Sequence, residues 1–308
     1  ARAAMRAAPT LREVGEDGLV ARLTRGLPLG RDVVVGPGDD CAVLRVPGNR
    51  GVWQLLKTDV VVEGVHFTED TPPAAVGWKA ASRAVSDIAA MGGRPTHAVV
   101  TAVAPGVTPA SWMVAAYCGL VRCAKTYGFS LVGGETSGTA VGGARLLNVA
   151  MLGEVERRHC VLRSGARVGN ALFVTGKLGG SLASGRHLRF RPRLAEAGWL
   201  VRNFRPTALM DLSDGLGRDL PRLAAASGVG WEIDTDLLPL HRGCSASHAL
   251  MDGEDFELLF AMPSRRTTSL EAAWKQVFPE VPLTRIGTVA SRGRGIPALN
   301  RGYAHFSL

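Results

Sequence analysis

Short apolar runs that stop on glycine or an acid, alternating with longer stretches of helical periodicity, constrain this chain more than any other feature. Val33-Val34-Val35-Gly36, Leu55-Leu56-Lys57-Thr58-Asp59 and Leu131-Val132-Gly133-Gly134 have the length and composition of strands. Between them, Ala74 to Met91 and Thr108 to Tyr127 carry apolar residues at helical spacing and stop at Gly92-Gly93 and Gly128, as helices do at glycine. The alternation resumes after the strand-like Leu146 to Leu152, through Ala171 to Thr175, Ala208 to Leu212, Gly230 to Ile233 and Phe256 to Met262. It predicts a mixed α/β chain of two units, 11–152 and 153–308, and a length of 308 residues suits two domains. There is no short-period repeat and no low-complexity linker.

Several function classes fall away on composition. No apolar run approaches the ~20 residues of a membrane span, and Ala1 to Thr10 lacks the apolar core of a secretory signal, so a cytoplasmic protein without a membrane partner is expected. Five cysteines, an odd number without a C-x-x-C pair, fit neither a disulfide framework nor a zinc site and read as reduced structural thiols. A net charge of +9 invites a nucleic-acid partner, but only five of the 36 basic residues are lysine, and aromatics are 6% of the chain with no basic block interleaved among them. The densest basic stretch, Arg186 to Arg205, reads as a local arm. No nucleic acid is expected, and a small anionic substrate accounts for the same charge.

The chemistry lies in acids placed beside apolar segments. Asp39 and Asp40 follow Gly36-Pro37-Gly38, Asp59 ends an apolar run, Asp211 and Asp214 flank Leu212-Ser213, and Glu254 and Asp255 precede the apolar Phe256 to Phe260. Singly, each is an ordinary turn or cap residue. Asp87 is harder to dismiss, because an anion near a helix C-terminus opposes the helix dipole and this one has apolar neighbours; a nearby cation resolves the conflict. Together the acids point to a hard-metal site for Mg²⁺, which takes carboxylates, waters and phosphate oxygens. Gly36-Pro37-Gly38, Gly133-Gly134 and Arg163-Ser164-Gly165 supply exposed amides and a guanidinium fork for phosphate. Neither a G-x-x-x-x-G-K-[ST] loop nor an H-R-D and D-F-G set occurs, so a phosphotransferase here belongs to neither large kinase class.

In order along the chain, G-P-G-D-D-C-A (36–42), K-T-D-V-V-V-E-G-V-H-F (57–67), V-G-W-K-A (76–80), S-D-I-A-A-M-G-G (86–93), V-G-G-E-T (132–136), L-R-S-G-A (162–166), D-L-S-D-G-L (211–216), G-E-D-F-E-L-L-F (253–260) and G-Y-A-H-F (302–306) resemble the thiamine-monophosphate kinase family of the aminoimidazole ribonucleotide synthetase superfamily. The resemblance implies a two-domain synthetase-like α/β fold, with an N-terminal domain whose strands form a homodimer and a C-terminal α/β domain. It implies ATP- and Mg²⁺-dependent phosphorylation of thiamine monophosphate to thiamine diphosphate. Carried over by motif, Asp40, Thr58, Asp59, Asp87, Glu135, Asp211 and Asp214 are expected metal ligands. Gly134, Glu135, Arg163 and Ser213 are expected at the nucleotide, and His66, Glu254 and Tyr303 at the acceptor; Asp87, Asp214 and Arg163 are the expected catalytic residues. Transfer between two anions asks for charge neutralisation and in-line positioning more than for covalent chemistry, and Tyr303 has a face on which a thiazolium ring could stack.

Three positions depart from the family pattern. Lys57 stands where a small hydroxyl residue is usual, Glu135 where Asp or Asn is usual, and Asp252 replaces the first glycine of G-G-E-D. An ammonium cannot ligate a cation, so Lys57 is expected either to lend charge to Asp40 or an ATP phosphate, or to face solvent. Two alternatives stay open at this level: another ATP-using enzyme of the superfamily, and a nucleotide- or thiamine-phosphate-binding protein that has lost catalysis. The retained acids argue against the second, since a binding module has no need of so costly a charge cluster.

Overall fold

A computed structural model describes residues 8–294 together with Gly302, Tyr303 and Phe306. Helices α1 (Leu11–Val14) and α2 (Glu16–Thr24) lead into β1 (Val33–Val35), β2 (Ala42–Val46) and β3 (Asn49–Val62). Next come α3 (Pro73–Ala90), β4 (Arg94–Pro105), α4 (Ala110–Tyr127), β5 (Ser130–Thr139) and β6 (Leu146–Glu156), and the strands form one six-stranded sheet in the order β1-β2-β3-β6-β4-β5. Its one parallel pair, β4 with β5, is joined by the crossover helix α4 that such a pair requires. A second sheet is built from β7 (Asn170–Thr175), β8 (Ala208–Asp211), β9 (Gly230–Ile233), β10 (Leu258–Pro263) and β11 (Leu283–Ala290), in the order β8-β10-β7-β11-β9. Helices α5 (Leu194–Asn203), α6 (Leu216–Ser227), α7 (Ala246–Met251) and α8 (Thr267–Val277) connect its strands.

Two strands outrun their sequence signals because partner strands extend their ladders, β3 on one side and β6 on both. Asp59 does not end β3: Val60, Val61 and Val62 continue to pair with Asn148, Leu147 and Leu146. Likewise β6 passes residue 153, because Gly153 lies opposite Leu55 on one side and Pro95 on the other. A central strand held from both sides keeps its hydrogen bonds through a glycine that would end an unpartnered one.

Helix α3 is the axis of the molecule. It starts at Pro73, whose fixed φ suits the first helical position, and 14 of its 18 residues are buried, so it is covered nearly all round. It lies against β3, β6 and β4 and also meets α4, α5 and β8. Any charge it carries is therefore charge taken out of water. Lys79, Arg83 and Asp87 recur every four residues on one face of it.

The α3–α4 contact is close enough to exclude a methyl group. A Cβ on Gly119 would lie 2.0 Å from the Ala74 carbonyl oxygen, and one on Gly77 1.8 Å from that of Ala116. Gly119→Ala is expected to lower unfolding stability by at least the ~1–3 kcal/mol typical of overpacking. Gly106→Ala, where an added Cβ meets nothing within 4 Å, should stay within about 0.5 kcal/mol of the parent. Urea midpoints of the two variants check this, and equal midpoints would refute the tight crossing.

Candidate active site

Three acids from three elements converge beside α3. Asp87 comes from its last turn, Asp40 from the turn before β2 and Asp211 from the final residue of β8. All are buried, and one oxygen of each lies within 4.8 Å of the others. Asp211 Oδ2 accepts from Ser86 Oγ at 2.6 Å. Asp40 Oδ1 accepts from Arg163 Nη2, whereas Asp40 Oδ2 is buried without a partner. Burial, and then the charge of Asp40, push Asp211 up to about 7 and the neighbouring Asp39 to about 6. Asp87 is raised well above the usual carboxylate range, chiefly by burial. Converging buried carboxylates, of which Asp87 and Asp211 are held above the usual carboxylate range and Asp40 has an orphaned oxygen, are a donor set suited to a hard divalent cation.

Fixed cations ring this cluster. Lys57, on β3, places Nζ 3.1 Å from Asp87 Oδ1. Arg83 grips Asp59 through Nε–Oδ2 at 3.1 Å and Nη2–Oδ1 at 3.0 Å. Arg163 also donates its backbone N–H to Asp39 Oδ2 at 3.1 Å. Asp214 accepts from Arg222, and buried Asp219 of α6 accepts the backbone N–H groups of Ser213 and Asp214 at 3.0 and 2.9 Å, fixing their loop. Apart from Asp40 and Asp219, these groups border a cavity of about 480 Å³. Helix α2 closes one side of it, with Glu16 and Asp17 paired to Arg218 and Arg222.

A smaller hollow adjoins it, lined by His66, Arg83, Ser213, Asp214, Asp252, Glu254 and Tyr303. Arg83, Ser213 and Asp214 border both spaces. Glu254 is held by Lys79 Nζ at 2.5 Å, Arg83 Nη1 at 3.1 Å and His187 Nδ1 at 3.1 Å. Despite its burial those partners bring its carboxyl down to about 2, while burial leaves Lys79 at about 8 and, with Arg83, lowers His66 to about 4. Glu254 and Phe256 have φ of 56° and 51°, a left-handed conformation that non-glycine residues hold only where the surroundings enforce it. Asp252, the substitution in G-G-E-D, accepts from the Gly180 N–H at 2.7 Å and pins the adjacent glycine turn.

The structure thus gathers Asp40, Asp87 and Asp211, sets Asp59, Asp214, Arg163 and Ser213 around them, and puts His66, Glu254 and Tyr303 at the second hollow. It does not bring Thr58, Gly134 or Glu135 to this cluster. Side chains alternate along a strand, so Thr58 points away from the face of Lys57 and Asp59, and its Oγ1 donates to Asn148 Oδ1 at 3.0 Å. Gly134 and Glu135 lie on β5, separated from β3 by β6 and β4, roughly 14 Å at ordinary strand spacing. Lys57 faces inward, and its carboxylate partner is Asp87 rather than Asp40. Ala304 and His305 of the last motif lie outside the described residues. Sequence reasoning missed Arg83, Lys79 and Asp219; the spacing of four that links Lys79, Arg83 and Asp87 was the available signal for the first two.

The family described as AIR synthase related protein, N-terminal domain, matches residues 38–155. Thiamine-monophosphate kinase of Rhodopirellula baltica is 38% identical over 286 residues, spanning 87% of this chain and 86% of its own. That of Bacillus subtilis is 33% identical over 312 residues, spanning 89% and 94%. A solved structure of AaThiL complexed with AMPPCP and TMP superposes with a TM-score of 0.82 at 32% identity, covering 97% of this chain and 100% of that one.

Because Asp211 and Asp39 hold protons up to about 7 and 6, a cation entering the cluster must displace them at low pH. For each, the folded pKa lies above the unfolded value, so without metal its ionisation costs stability as pH rises from about 4 toward 7. Mg²⁺ should therefore raise the thermal midpoint more at pH 7.5 than at pH 5.5. Scanning fluorimetry with and without Mg²⁺ measures both shifts, and a larger shift at pH 5.5 would contradict the site.

Proposed function

The chain belongs to the thiamine-monophosphate kinase family, and from that premise we propose that it transfers the γ-phosphoryl group of ATP to thiamine monophosphate, giving thiamine diphosphate, with Mg²⁺ held by Asp40, Asp87 and Asp211. The observation that carries this reading is the junction of the acid-lined cavity with the second hollow through Arg83, Ser213 and Asp214. A donor phosphate in the first would reach these shared side chains, and the acceptor would approach them from the side of the second, a hollow of about 30 Å³.

Bound Mg²⁺ would supply positive charge against the phosphate oxygens as negative charge redistributes in the transition state. The protein's part is positional. Asp40, Asp87 and Asp211 would hold the cation, Arg163 sits beside Asp40 at the wall of the larger cavity, and the loop of Ser213 and Asp214 is fixed by Asp219. No strong general base is needed, because a phosphate acceptor is already ionised at neutral pH. His66, lowered to about 4, stays uncharged there. Tyr303 borders the acceptor hollow, where its ring can face the cationic thiazolium.

We further propose a homodimer formed over the first sheet. Its edge strand β5 runs for ten residues with most of them exposed, Val132 at 58%. Long bare edges of this kind call for a cover, and a second copy would also engage Gly134 and Glu135. The passage between the two domains falls, on this reading, between Glu156 and Asn170. Among the described residues no helix is long and apolar enough to cross a membrane; a cytoplasmic location is the one that suits ATP and thiamine monophosphate as substrates.

Incubation with ATP, Mg²⁺ and thiamine monophosphate should yield thiamine diphosphate on chromatography. Asp87→Asn and Asp211→Asn should each lower kcat at least about a hundredfold, since an amide keeps the size but not the charge that holds Mg²⁺, with the circular dichroism spectrum unchanged. Near-parental turnover in both variants would sink the metal assignment. Tyr303→Ala should raise the acceptor KM several-fold to tens-fold and leave that of ATP nearly unchanged, from a cation–π contact of roughly 0.5–2 kcal/mol. An unchanged acceptor KM would reassign Tyr303 to packing.

A further inference from the structure

Two acids of the site already have cations of this chain against them. Lys57 Nζ is 3.1 Å from Asp87 Oδ1, with side-chain exposures of only 24% and 9%. Arg83 engages both oxygens of Asp59, at 3.0 and 3.1 Å, and Oδ1 also accepts from the Val60 N–H at 2.9 Å. Among the described residues, the acids close enough to share an ion are Asp40, Asp87 and Asp211; Asp59 is not one of them. The points of attachment favour this arrangement: Lys57 and Asp59 share a face of β3, and Arg83 is one helical turn before Asp87 on α3, so both cations start from backbone positions beside their acids.

We propose that Lys57 and Arg83 are resident counter-ions that take the place of a divalent ion on the Asp59 side of the site, confining the exchangeable cations to Asp40, Asp87 and Asp211. This deepens the Mg²⁺ reading above and rests on it. An ammonium and a guanidinium have only donors, so neither can itself ligate a metal; Arg83 occupies both oxygens of Asp59, whereas Lys57 lies on Asp87 Oδ1 and leaves Oδ2 to the acid cluster, and both cations oppose a further ion brought close. Arg83 adds a second effect. Its Nη1 reaches Glu254 Oε1 at 3.1 Å, so the charge that would otherwise be a metal's is tied to the acceptor hollow. The competing view is that these are ordinary ion pairs, opened whenever metal and nucleotide bind, with no effect on how many ions the site takes.

The test counts metal rather than turnover. Mn²⁺ bound per chain is measured by electron paramagnetic resonance at saturating AMPPCP for the parent, Lys57→Ser, Lys57→Met, Lys57→Arg and the double variant Lys57→Ser/Arg83→Met. Lys57→Ser and the double variant should bind at least one more Mn²⁺ than the parent. Their thermal midpoints should fall without metal and recover with it, while Lys57→Arg keeps the parental count. Should Lys57→Ser not fold, Lys57→Met, of similar length and without charge, carries the comparison, since it equally frees the Asp87 carboxylate. Equal, non-zero counts in the parent and the charge-removing variants would overturn the proposal. Absence of bound Mn²⁺ from every protein, beyond that carried by free nucleotide, would instead overturn the metal reading on which it rests.

Discussion

What the surrounding structure has to accommodate is the convergence of three buried carboxylates. Asp40, Asp87 and Asp211 are drawn from two sheets and a central helix to within one ion's reach of each other. Taking such groups out of water costs more than their packing returns unless charge of the other sign is present. The surrounding structure supplies that charge from fixed positions: Arg163 on Asp40, Lys57 on Asp87, Arg83 on Asp59 and Arg222 on Asp214. The positive balance that looked at first like a nucleic-acid signature is, at this site, the counter-charge of an acid cluster.

The same logic ties the halves of the chain together. Glu254, from the segment preceding β10, meets Lys79 and Arg83 of α3, and Asp40, before β2, meets Arg163 from the segment before β7. Breaking one such pair strands a buried charge, a far larger loss than removing a pair at the surface. Left-handed Glu254 and Phe256 show the backbone cost accepted to hold that geometry. The ring of Phe256 stacks on Phe190 with centroids 3.9 Å apart, which anchors the strained turn.

Much of this was legible in the sequence because its period was unambiguous. The limits of α3 and α4 followed from apolar spacing with glycine stops, and the cluster acids stood out as charges beside apolar runs. What could not be read is what depends on pairing at a distance. Asp59 lies inside β3 because Asn148 and its neighbours extend the ladder, and Gly153 lies inside β6 because two strands hold it. Thr58 was assigned by motif alongside Asp59, but strand alternation sends the two side chains to opposite faces. Gly134 and Glu135 failed to reach the cluster because neighbours in the motif order are three strands apart in the sheet. Arg83 passed unnoticed as one arginine among many, although its spacing from Asp87 already placed both on one helical face.

That spacing has a mechanical consequence. Lys79 and Arg83 hold Glu254 at the smaller hollow, and Asp87 stands in the acid cluster, all from one helix. Eight residues of helix advance about 12 Å along the axis, so α3 acts as a ruler between the smaller hollow and the acid cluster. A helix packed against β3, β4 and β6 on one side and α4 on another cannot stretch, and the Gly77 and Gly119 contacts leave it little room to slide. The separation across which a phosphoryl group would pass is therefore set by the packing of α3 rather than by the flexible ends of the side chains it carries. In-line transfer needs just such a fixed distance, because its barrier rises steeply when donor and acceptor are misplaced by as little as an ångström.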